Sequence, residues 1–313
     1  MTTPLRILFM GTPEFAVPPL RALLQGPDQV VAVVCQPDKE SGRGRKLQTP
    51  PTKVLAMAGG IPLLQPRSVR TPVFLEEIAA LRLDLIVVAA YGKILPGSLL
   101  RLPRLGAINI HGSLLPKYRG AAPIQWAVIN GERETGVTIM QMDEGMDTGD
   151  ILLPAAIPIT DEDTAGTMFA KLAVVGGQAL MEAIARLKEG TLPPRKQDNR
   201  LATEAPMLEK EMGHLDWSQD ARSLHCLIRG LDPWPSAYSF LGESRFRFFN
   251  PQVVEGPVTA SPGSICRADR HGLLVATGRD SLLVRDIQAE GKKRMDVQSL
   301  LCGMPLPVGG RFT

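Results

Sequence analysis

The sequence predicts an α/β protein with a mostly parallel sheet covered by helices, followed by a smaller domain of antiparallel strands. Over residues 1–187, short apolar runs rich in β-branched residues alternate with helical stretches, which is the pattern of βαβ units. These runs are apolar at nearly every position, as expected of strands buried on both faces. Residues 263–288 instead show short strands broken by glycine and charge, which is typical of a small barrel or sandwich.

Start and stop signals place the elements of the first part of the chain. The stretch 51–60 ends on two glycines, 71–81 starts with Thr then Pro, and 163–190 ends on Gly190, so each is predicted to be a helix. GTPEF (11–15) lacks the spacing of a dinucleotide-binding loop and is predicted to be a plain strand-to-helix turn. The predicted strands are 6–11, 30–35, 85–90, 106–111 and 136–142.

A polar stretch divides the chain into two domains. Residues 189–206 contain prolines and no periodic pattern, which predicts a linker between a domain at 1–188 and a second at 207–313. Within the second domain, two prolines flank Trp234 in DPWPSAY (232–238), which predicts a rigid, packed corner.

Composition excludes several classes of protein. The chain has 313 residues, of which 44% are hydrophobic and 21% charged, so it is neither disordered nor collagen-like. Its uncharged apolar stretches are much shorter than the roughly 20 residues of a bilayer span, and its start lacks a signal peptide. The four cysteines are scattered, without the spacing of a disulfide framework or a zinc site. We therefore expect a soluble cytoplasmic protein without a structural zinc site.

The strand at 106–111 carries a carboxamide and an imidazole on one face. Side chains alternate along a strand, so Asn109 and His111 are expected about 7 Å apart on the same side, exposed at the carboxyl end of the strand. Ligands bind at such ends in open α/β sheets. An imidazole exchanges protons near neutral pH, and a carboxamide donates to a growing oxyanion, so the pair suits attack on a carbonyl-type carbon. The alternative is a polar strand end satisfied by local backbone groups.

The acidic segment DEGMDTGD (143–150) follows the predicted strand 136–142. If this segment folds back toward the strand at 106–111, Asp147 can hold the ring of His111 in one tautomer and orientation. Two alternatives remain from the sequence alone, a solvated surface turn and a magnesium site.

A basic loop, PDKESGRGRKLQTPPTK (37–53), follows the second predicted strand. Arginines spaced by glycine near a site suit phosphate binding, although a solvated loop is the usual interpretation of such a run. The net charge of +3 is too small to identify a nucleic-acid binder by itself. Further basic residues that extend the possible track are Arg195, Lys196, Arg200, Lys292, Lys293 and Arg294.

Several of these motifs occur together in one family. In order along nearly the whole chain, GTPEF, QPDKESGRGRKL, AAYGKILP, INIHGSLLPKYRGAAPIQWAV, ETGVTIMQMDEGMDTGDIL and DWSQDARSLHCLIRGLDPWP resemble the methionyl-tRNA formyltransferase family. The shorter pattern of Asn109, His111 and Asp147 with HGSLLP is similar to all 10-formyltetrahydrofolate-dependent formyltransferases, including the glycinamide ribonucleotide enzyme. The resemblance is narrowed to the tRNA enzymes by three segments: the RGAAPIQWAV run, the basic loop and the carboxyl-terminal part of the chain.

The resemblance implies a Rossmann-like formyltransferase domain and a carboxyl-terminal β-barrel that is OB-like and binds tRNA. Its expected co-substrate is 10-formyltetrahydrofolate, and its expected partner is initiator methionyl-tRNA, bound by a monomer that needs neither metal nor membrane. The implied catalytic residues are Asn109, His111 and Asp147. The implied folate-binding residues are Ser113, Leu114, Leu115 and Pro116, and the implied tRNA-binding residues are Arg43, Arg45 and Lys46.

Three rival classes remain open on the sequence alone. A folate hydrolase would use the same three side chains on water, and it would give no reason for the basic loop. A sugar-nucleotide or purine-pathway formyltransferase would keep the three residues but lack the RNA-binding parts. A non-catalytic RNA-binding protein with a decayed α/β domain would not be expected to keep all three.

Overall fold

A computed structural model of the chain describes residues 3–41 and 46–313, with side chains for all of these except 40, 41 and 46. The chain forms two compact units, and neither is continuous in sequence. The first unit comprises Met1–Gly120, Thr135–Ile157 and Phe169–Ala205. The second comprises Ala121–Glu134, Pro158–Met168 and Pro206–Thr313.

The elements up to residue 205 follow the predicted alternation of strands and helices. The strands are β1 (Arg6–Gly11), β2 (Gln29–Val34), β3 (Lys39–Ser41), β4 (Lys46–Gln48), β5 (Leu63–Leu64), β6 (Leu85–Ala89), β7 (Ala107–His111), β8 (Arg119–Gly120), β9 (Glu134–Gln141), β10 (Ile151–Pro158) and β11 (Glu204–Ala205). The helices are α1 (Val17–Gln25), α2 (Pro51–Ala58), α3 (Pro72–Ala80), α4 (Gly97–Leu100), α5 (Pro123–Ile129) and α6 (Ala165–Glu189).

The main sheet of the first unit has the strand order β10-β9-β7-β6-β1-β2-β5. The pairs from β5 to β7 are parallel, and β9 runs antiparallel to β7. The chain builds outward from β1 through β2 to β5 and then returns to β6 on the other side of β1. This reversal of strand order is the point at which open α/β sheets form a ligand crevice, at the carboxyl ends of the strands.

The predicted fold class is confirmed, and every predicted strand and helix of this part lies within two residues of an observed one. Thr71 caps α3 by accepting a hydrogen bond from the backbone N–H of Phe74, and Gly190 follows α6 with a left-handed φ of 70°. Gly11 ends β1 and is followed by a short 3₁₀ turn and α1, so the predicted strand-to-helix turn is also confirmed.

Both faces of the central strands are covered, which explains their continuous apolar runs. On one face Leu8, Met10 and Ile86 form a cluster with Phe74 and Ile78 of α3. Helix α6 is long and apolar enough by composition to cross a membrane, but half of its apolar stretch is buried in the protein. Core helices of globular proteins share these properties.

The elements of the second unit after residue 205 are mainly antiparallel strands. They are β12 (Ala237–Leu241), β13 (Ser244–Val254), β14 (Ile265–Asp269), β15 (Gly272–Ala276), β16 (Ser281–Ala289) and β17 (Met295–Asp296), with helices α7 (Ala221–Gly230) and α8 (Val297–Leu301). The sheet order is β12-β13-β16-β15-β14, with β17 on β16. Residues 309–313 bond to Phe240 at one edge and to Gly263 and Ile265 at the other, so they close the sheet into a barrel.

The core of the second unit contains a cluster of aromatic side chains among aliphatic ones. Trp217, Phe248 and Phe312 pack together, and the indole N–H of Trp217 donates to the hydroxyl of Ser239 at 3.0 Å. Trp234, in contrast, is 53% exposed, so the prediction of a packed corner is wrong for this side chain. The corner is held through its backbone instead, because the Asp232 carbonyl accepts a hydrogen bond from Gly166 N–H. The indole of Trp234 takes no part in this contact.

Residues 190–205 are hydrogen-bonded along the first unit. Arg195 and Ile151 exchange two backbone hydrogen bonds, and β11 pairs in parallel with β8. Asp198 caps a short 3₁₀ turn over Asn199–Leu201. The stretch that the sequence predicts as a linker is therefore an ordered part of the first unit.

Candidate active site

His111 ends β7 and is buried. Its side chain is 5% exposed, so the prediction of an exposed imidazole is wrong. The turn after β7 contacts the ring, because the backbone carbonyl of Tyr118 lies 2.9 Å from Nε2. A buried ring with one fixed partner has a fixed orientation.

Asp147 is brought to the same ring by the acidic loop at residues 142–150. Strand β9 runs antiparallel to β7, so it ends beside Ile108, and the loop folds back to bring the carboxylate to His111. The carboxylate Oδ1 lies 3.5 Å from Nδ1 of His111, and its Oδ2 accepts a hydrogen bond from Gly120 N–H at 2.9 Å. Asp147 has a left-handed φ of 55°, a conformation that is uncommon for non-glycine residues.

The shorter of the two contacts to the ring favours one tautomer of the neutral imidazole. A carbonyl oxygen only accepts, so in the neutral imidazole the proton is on Nε2, which donates to Tyr118. Nδ1 then carries a lone pair that can accept a proton, with the Asp147 carboxylate 3.5 Å away to stabilise the charge that results. The sequence predicted that Asp147 would fix the tautomer, whereas the shorter bond comes from a backbone carbonyl.

Asn109 lies two residues before His111 on the same face of β7. It is half-buried, opposite Met140 of β9 and Val88 of β6. Within residues 3–41 and 46–313, its carboxamide has no hydrogen-bond partner. An amide without a protein partner at a strand end is available to donate to a bound molecule.

The predicted folate-binding stretch, Ser113 to Pro116, forms a turn that is fixed by Thr138 of β9. The Thr138 hydroxyl donates to the Ser113 carbonyl at 2.7 Å and accepts from Leu115 N–H at 3.1 Å. Ser113 and Leu115 are buried, and the Ser113 hydroxyl donates to the Lys117 carbonyl at 2.6 Å. The side-chain surface of this stretch therefore comes from Leu114 and Pro116.

Most of the predicted basic loop lies outside the described part of the chain. Arg43 and Arg45 are not described, and Lys46 is described only as the backbone of β4, opposite Ser41. Lys53 is ion-paired with Asp38 at 2.8 Å and also donates to Gln65. Hydrogen bonds from Gln65 and then Lys53 lower the pKa of the Asp38 carboxyl, and the Asp38 carboxylate compensates the positive charge of Lys53.

Two of the other basic residues also have acidic partners. Arg294 pairs with Asp232 and Asp286 and lies over the ring of Phe249. Arg200 pairs with Asp198 at 2.7 Å. Arg195, Lys196, Lys292 and Lys293 are exposed.

Two further carboxylates of the acidic loop, those of Asp143 and Glu144, also have partners within the protein. Asp143 accepts from the Thr148 hydroxyl and from Gly145 N–H, and Glu144 pairs with Arg101. In the part of the chain that the structure describes, no group of three or more His, Cys, Asp or Glu side chains is arranged to hold a metal ion.

The partners that the sequence did not reveal are mostly backbone groups. The Tyr118 carbonyl and the Gly120 N–H carry no residue-type signal. Gln197 is the exception, because its side chain donates to the carbonyls of Asp147 and Gly149 at 2.8 and 2.7 Å. It lies in the polar stretch without a period, where one glutamine has no distinguishing feature.

This fold and this set of side chains fit an enzyme that acts on a carbonyl-type carbon. Residues 5–184 match the model of the formyl transferase family, and residues 207–305 match that of the formyl transferase C-terminal domain. The chain belongs to the formyl transferase family.

Similar proteins refine this assignment. A methionyl-tRNA formyltransferase from Desulfotalea psychrophila is 61% identical over 96% of this chain and 93% of its own length. Seven further relatives, 47% to 50% identical, carry the same name.

Two solved structures share the fold. The N-formyltransferase from Helicobacter canadensis, in complex with folinic acid and dTDP-3-aminofucose, has a TM-score of 0.69 at 18% identity, over 93% of this chain and all of that one. HypX from Aquifex aeolicus, in complex with tetrahydrofolic acid, has a TM-score of 0.63 at 17% identity over 96% of this chain. This chain spans about half the length of HypX, matching 47% of it.

Proposed function

We propose that this protein transfers the formyl group of 10-formyltetrahydrofolate to the free amino group of methionine on initiator tRNA, for translation initiation. The observation that carries the proposal is the 61% identity to a methionyl-tRNA formyltransferase over 96% of the chain, which includes the second unit as well as the site. The N-formyltransferase in complex with dTDP-3-aminofucose is only 18% identical, so that likeness supports the fold alone.

In the proposed reaction the methionyl amine attacks the formyl carbon on N10 of the folate. The formyl oxygen becomes an oxyanion, and the unpartnered carboxamide of Asn109 donates to it. The amine loses a proton and N10 gains one as the C–N10 bond breaks. No covalent bond to the protein forms.

His111 and Asp147 handle the proton in this proposal. Nδ1 of His111 takes the proton from the attacking amine, because Nε2 is already committed to the Tyr118 carbonyl. The Asp147 carboxylate, whose Oδ1 lies 3.5 Å from Nδ1, stabilises the resulting imidazolium. The ring then returns the proton to N10.

The remaining assignments follow the same proposal. Residues 1–188 form the catalytic domain, 189–206 the connecting segment and 207–313 the tRNA-binding domain. The turn of Ser113, Leu114, Leu115 and Pro116 contacts the folate, and Arg43, Arg45 and Lys46 contact tRNA phosphates. The protein acts as a cytoplasmic monomer, away from membranes.

One assay separates the candidate reactions. Formyl-labelled 10-formyltetrahydrofolate is offered with methionyl initiator tRNA, methionyl elongator tRNA, an amino-sugar nucleotide, glycinamide ribonucleotide or water alone. Label on the initiator tRNA supports the proposal. Label on the sugar nucleotide or on glycinamide ribonucleotide, or formate released without an acceptor, supports a rival enzyme, and no transfer to any acceptor contradicts an enzymatic role.

Asn109→Ala tests the oxyanion donor. We expect turnover to fall by about 100- to 1,000-fold with KM for both substrates little changed, because the lost bond forms only as charge develops on the formyl oxygen. Gln29→Ala is a matched control, since it truncates an exposed carboxamide at the amino end of β2. Wild-type turnover by Asn109→Ala would remove this residue from the mechanism.

A further inference from the structure

We infer that Gln197 is a positioning residue for catalysis, which holds the acidic loop so that the Asp147 carboxylate faces His111. This inference rests on the proposed function, because it gives Asp147 the role described above. Gln197 belongs to the segment after α6, 50 positions from Asp147 in the chain.

The carboxamide of Gln197 links two segments through four hydrogen bonds. Its Nε2 donates to the carbonyls of Asp147 and Gly149 at 2.8 and 2.7 Å. Its Oε1 accepts from Nε and Nη2 of Arg119 at 3.0 and 2.8 Å. All four polar capacities of the amide are used, two donors and two lone pairs.

The orientation of this amide follows from its neighbours. Carbonyl oxygens only accept and a guanidinium only donates, so the NH₂ group must face the loop and the oxygen must face Arg119. A flipped amide would oppose donor to donor and acceptor to acceptor. Arg119 therefore fixes the rotamer of Gln197 as well as its position.

The loop needs this support at Asp147 in particular. Its left-handed backbone, with φ at 55°, is intrinsically unfavourable for a residue with a Cβ. Gln197 holds the backbone carbonyl of this residue, and Gly120 N–H holds its carboxylate Oδ2 at 2.9 Å. Gly120 directly follows Arg119, so both anchors belong to one structure around β8 and β11.

The Gln197→Ala variant tests the inference. We expect kcat to fall by about 10- to 100-fold with KM for both substrates within about 2-fold of wild type, because the carboxylate is displaced while the binding surfaces are kept. Asn199→Ala is the matched control, since Asn199 accepts from Nη2 of the same arginine at 2.8 Å but does not bond to the acidic loop. It should keep its turnover.

Gln197→Glu separates positioning from stability. The glutamate gains an ion pair with Arg119, so we expect the melting temperature to be kept, but it directs an acceptor at the two loop carbonyls, so turnover should still fall. Wild-type kcat in both Gln197→Ala and Gln197→Glu would overturn the inference, and so would losses of turnover that only follow losses of thermal stability.

A double-mutant cycle shows whether Gln197 acts through Asp147. In the Asp147→Asn background, Gln197→Ala should reduce kcat by less than about 2-fold further, whereas an independent structural role would give the full loss again. The outcome also separates the two proposals. If Asp147→Asn alone keeps wild-type turnover, the proposed mechanism fails; if it loses turnover and Gln197→Ala does not, only the inference about Gln197 fails.

Discussion

At the scale of single residues, His225 of α7 is buried next to positive charge. It is 3% exposed, and in the described part of the chain its Nδ1 has no hydrogen-bond partner. Burial lowers the pKa of His225 to about 4, helped by Arg229 and Arg222 and opposed by Asp161. The ring is therefore neutral in the folded protein at any pH near neutrality.

His225 should make the second unit sensitive to acid. The unfolded chain binds a proton at this residue near pH 6.5, whereas the folded chain binds it only near pH 4. Across this window the unfolded state carries more protons, so the free energy of unfolding falls as the pH is lowered from 6.5 to 4, by on the order of 3 kcal/mol. Denaturant titrations followed by tryptophan fluorescence measure this, because all three tryptophans belong to the second unit.

His225→Gln should flatten this dependence, and the exposed His271→Gln serves as the control that should leave it unchanged. Paired carboxylates such as Asp161, whose pKa is lowered by Arg222, add their own slope at still lower pH in all three proteins. An equal slope between pH 6.5 and 4 in wild type and His225→Gln would contradict the assignment.

The proposed catalytic residues are easier to predict from the sequence than the groups that hold them. Asn109, His111 and Asp147 have distinctive side chains, and the period of a strand places the first two on one face. Their partners at Tyr118 and Gly120 are a backbone carbonyl and a backbone N–H, which every residue carries. Burial of His111 depends on how the turn after β7 folds over it, which the alternation of strands and helices does not determine.

At the scale of elements, the acidic loop is seated against β9 through Gly149. A methyl group built there would overlap the carbonyl oxygen of Gln141, so the loop cannot approach the strand if this position carries a side chain. The carbonyl of Gln141 is a backbone group, so it cannot move aside as a flexible side chain can. A shift of the loop would therefore move Asp147, which the loop carries.

Gly149→Ala should displace the loop and reduce kcat by about 100-fold, because a shift of about 1 Å in a catalytic group has effects of this size. The folate KM should change little. The comparison is Gly59→Ala after α2, where an added methyl meets nothing closer than 3.5 Å and φ is not positive. Unchanged turnover in Gly149→Ala would mean that the loop adapts without moving its carboxylate.

The buried central strands of the first sheet are predictable from the sequence, whereas β10, with its alternating burial, and the two-residue strands are not. Continuous apolar runs fixed the five predicted strands, because such runs are buried on both faces wherever helices cover a sheet. The antiparallel direction of β9 has no local signal, since β9 is buried from Thr135 to Met140 much as the parallel strands of the sheet are buried. Strands β8 and β11 have two residues each, too few to show a period, and they form only because the two segments meet.

At the scale of the whole molecule, the proposed function has tRNA bound through its phosphates, whereas the folate is bound without phosphate contacts. If Arg43, Arg45 and Lys46 contact tRNA, affinity for tRNA should fall steeply with salt while folate affinity should not. Each single alanine substitution should weaken tRNA binding and reduce the slope of log affinity against log salt by about 1. Binding titrations from low to moderate salt measure both quantities.

Arg104→Ala provides the control for charge alone. Arg104 pairs with Asp84 before β6 and β7, at the amino ends of the strands and therefore at the edge opposite to the site. Its removal should leave the salt slope unchanged. A tRNA affinity that does not respond to salt in the wild-type protein would contradict the proposed phosphate contacts.

Because the second unit is discontinuous in sequence, it cannot fold before its last segment is synthesised, and it cannot be isolated by one cut in the chain. Helix α5 is encoded between two strands of the first unit, yet Trp126 and Ile129 pack against the aromatic core of the second, and α5 rests on α7. During synthesis α5 leaves the ribosome about 90 residues before α7. Until α7 is made, the apolar side of α5 is exposed to water or bound by a chaperone. A fragment cut at residue 206 would separate α5 from α7, so each half would expose apolar surface that the intact chain conceals.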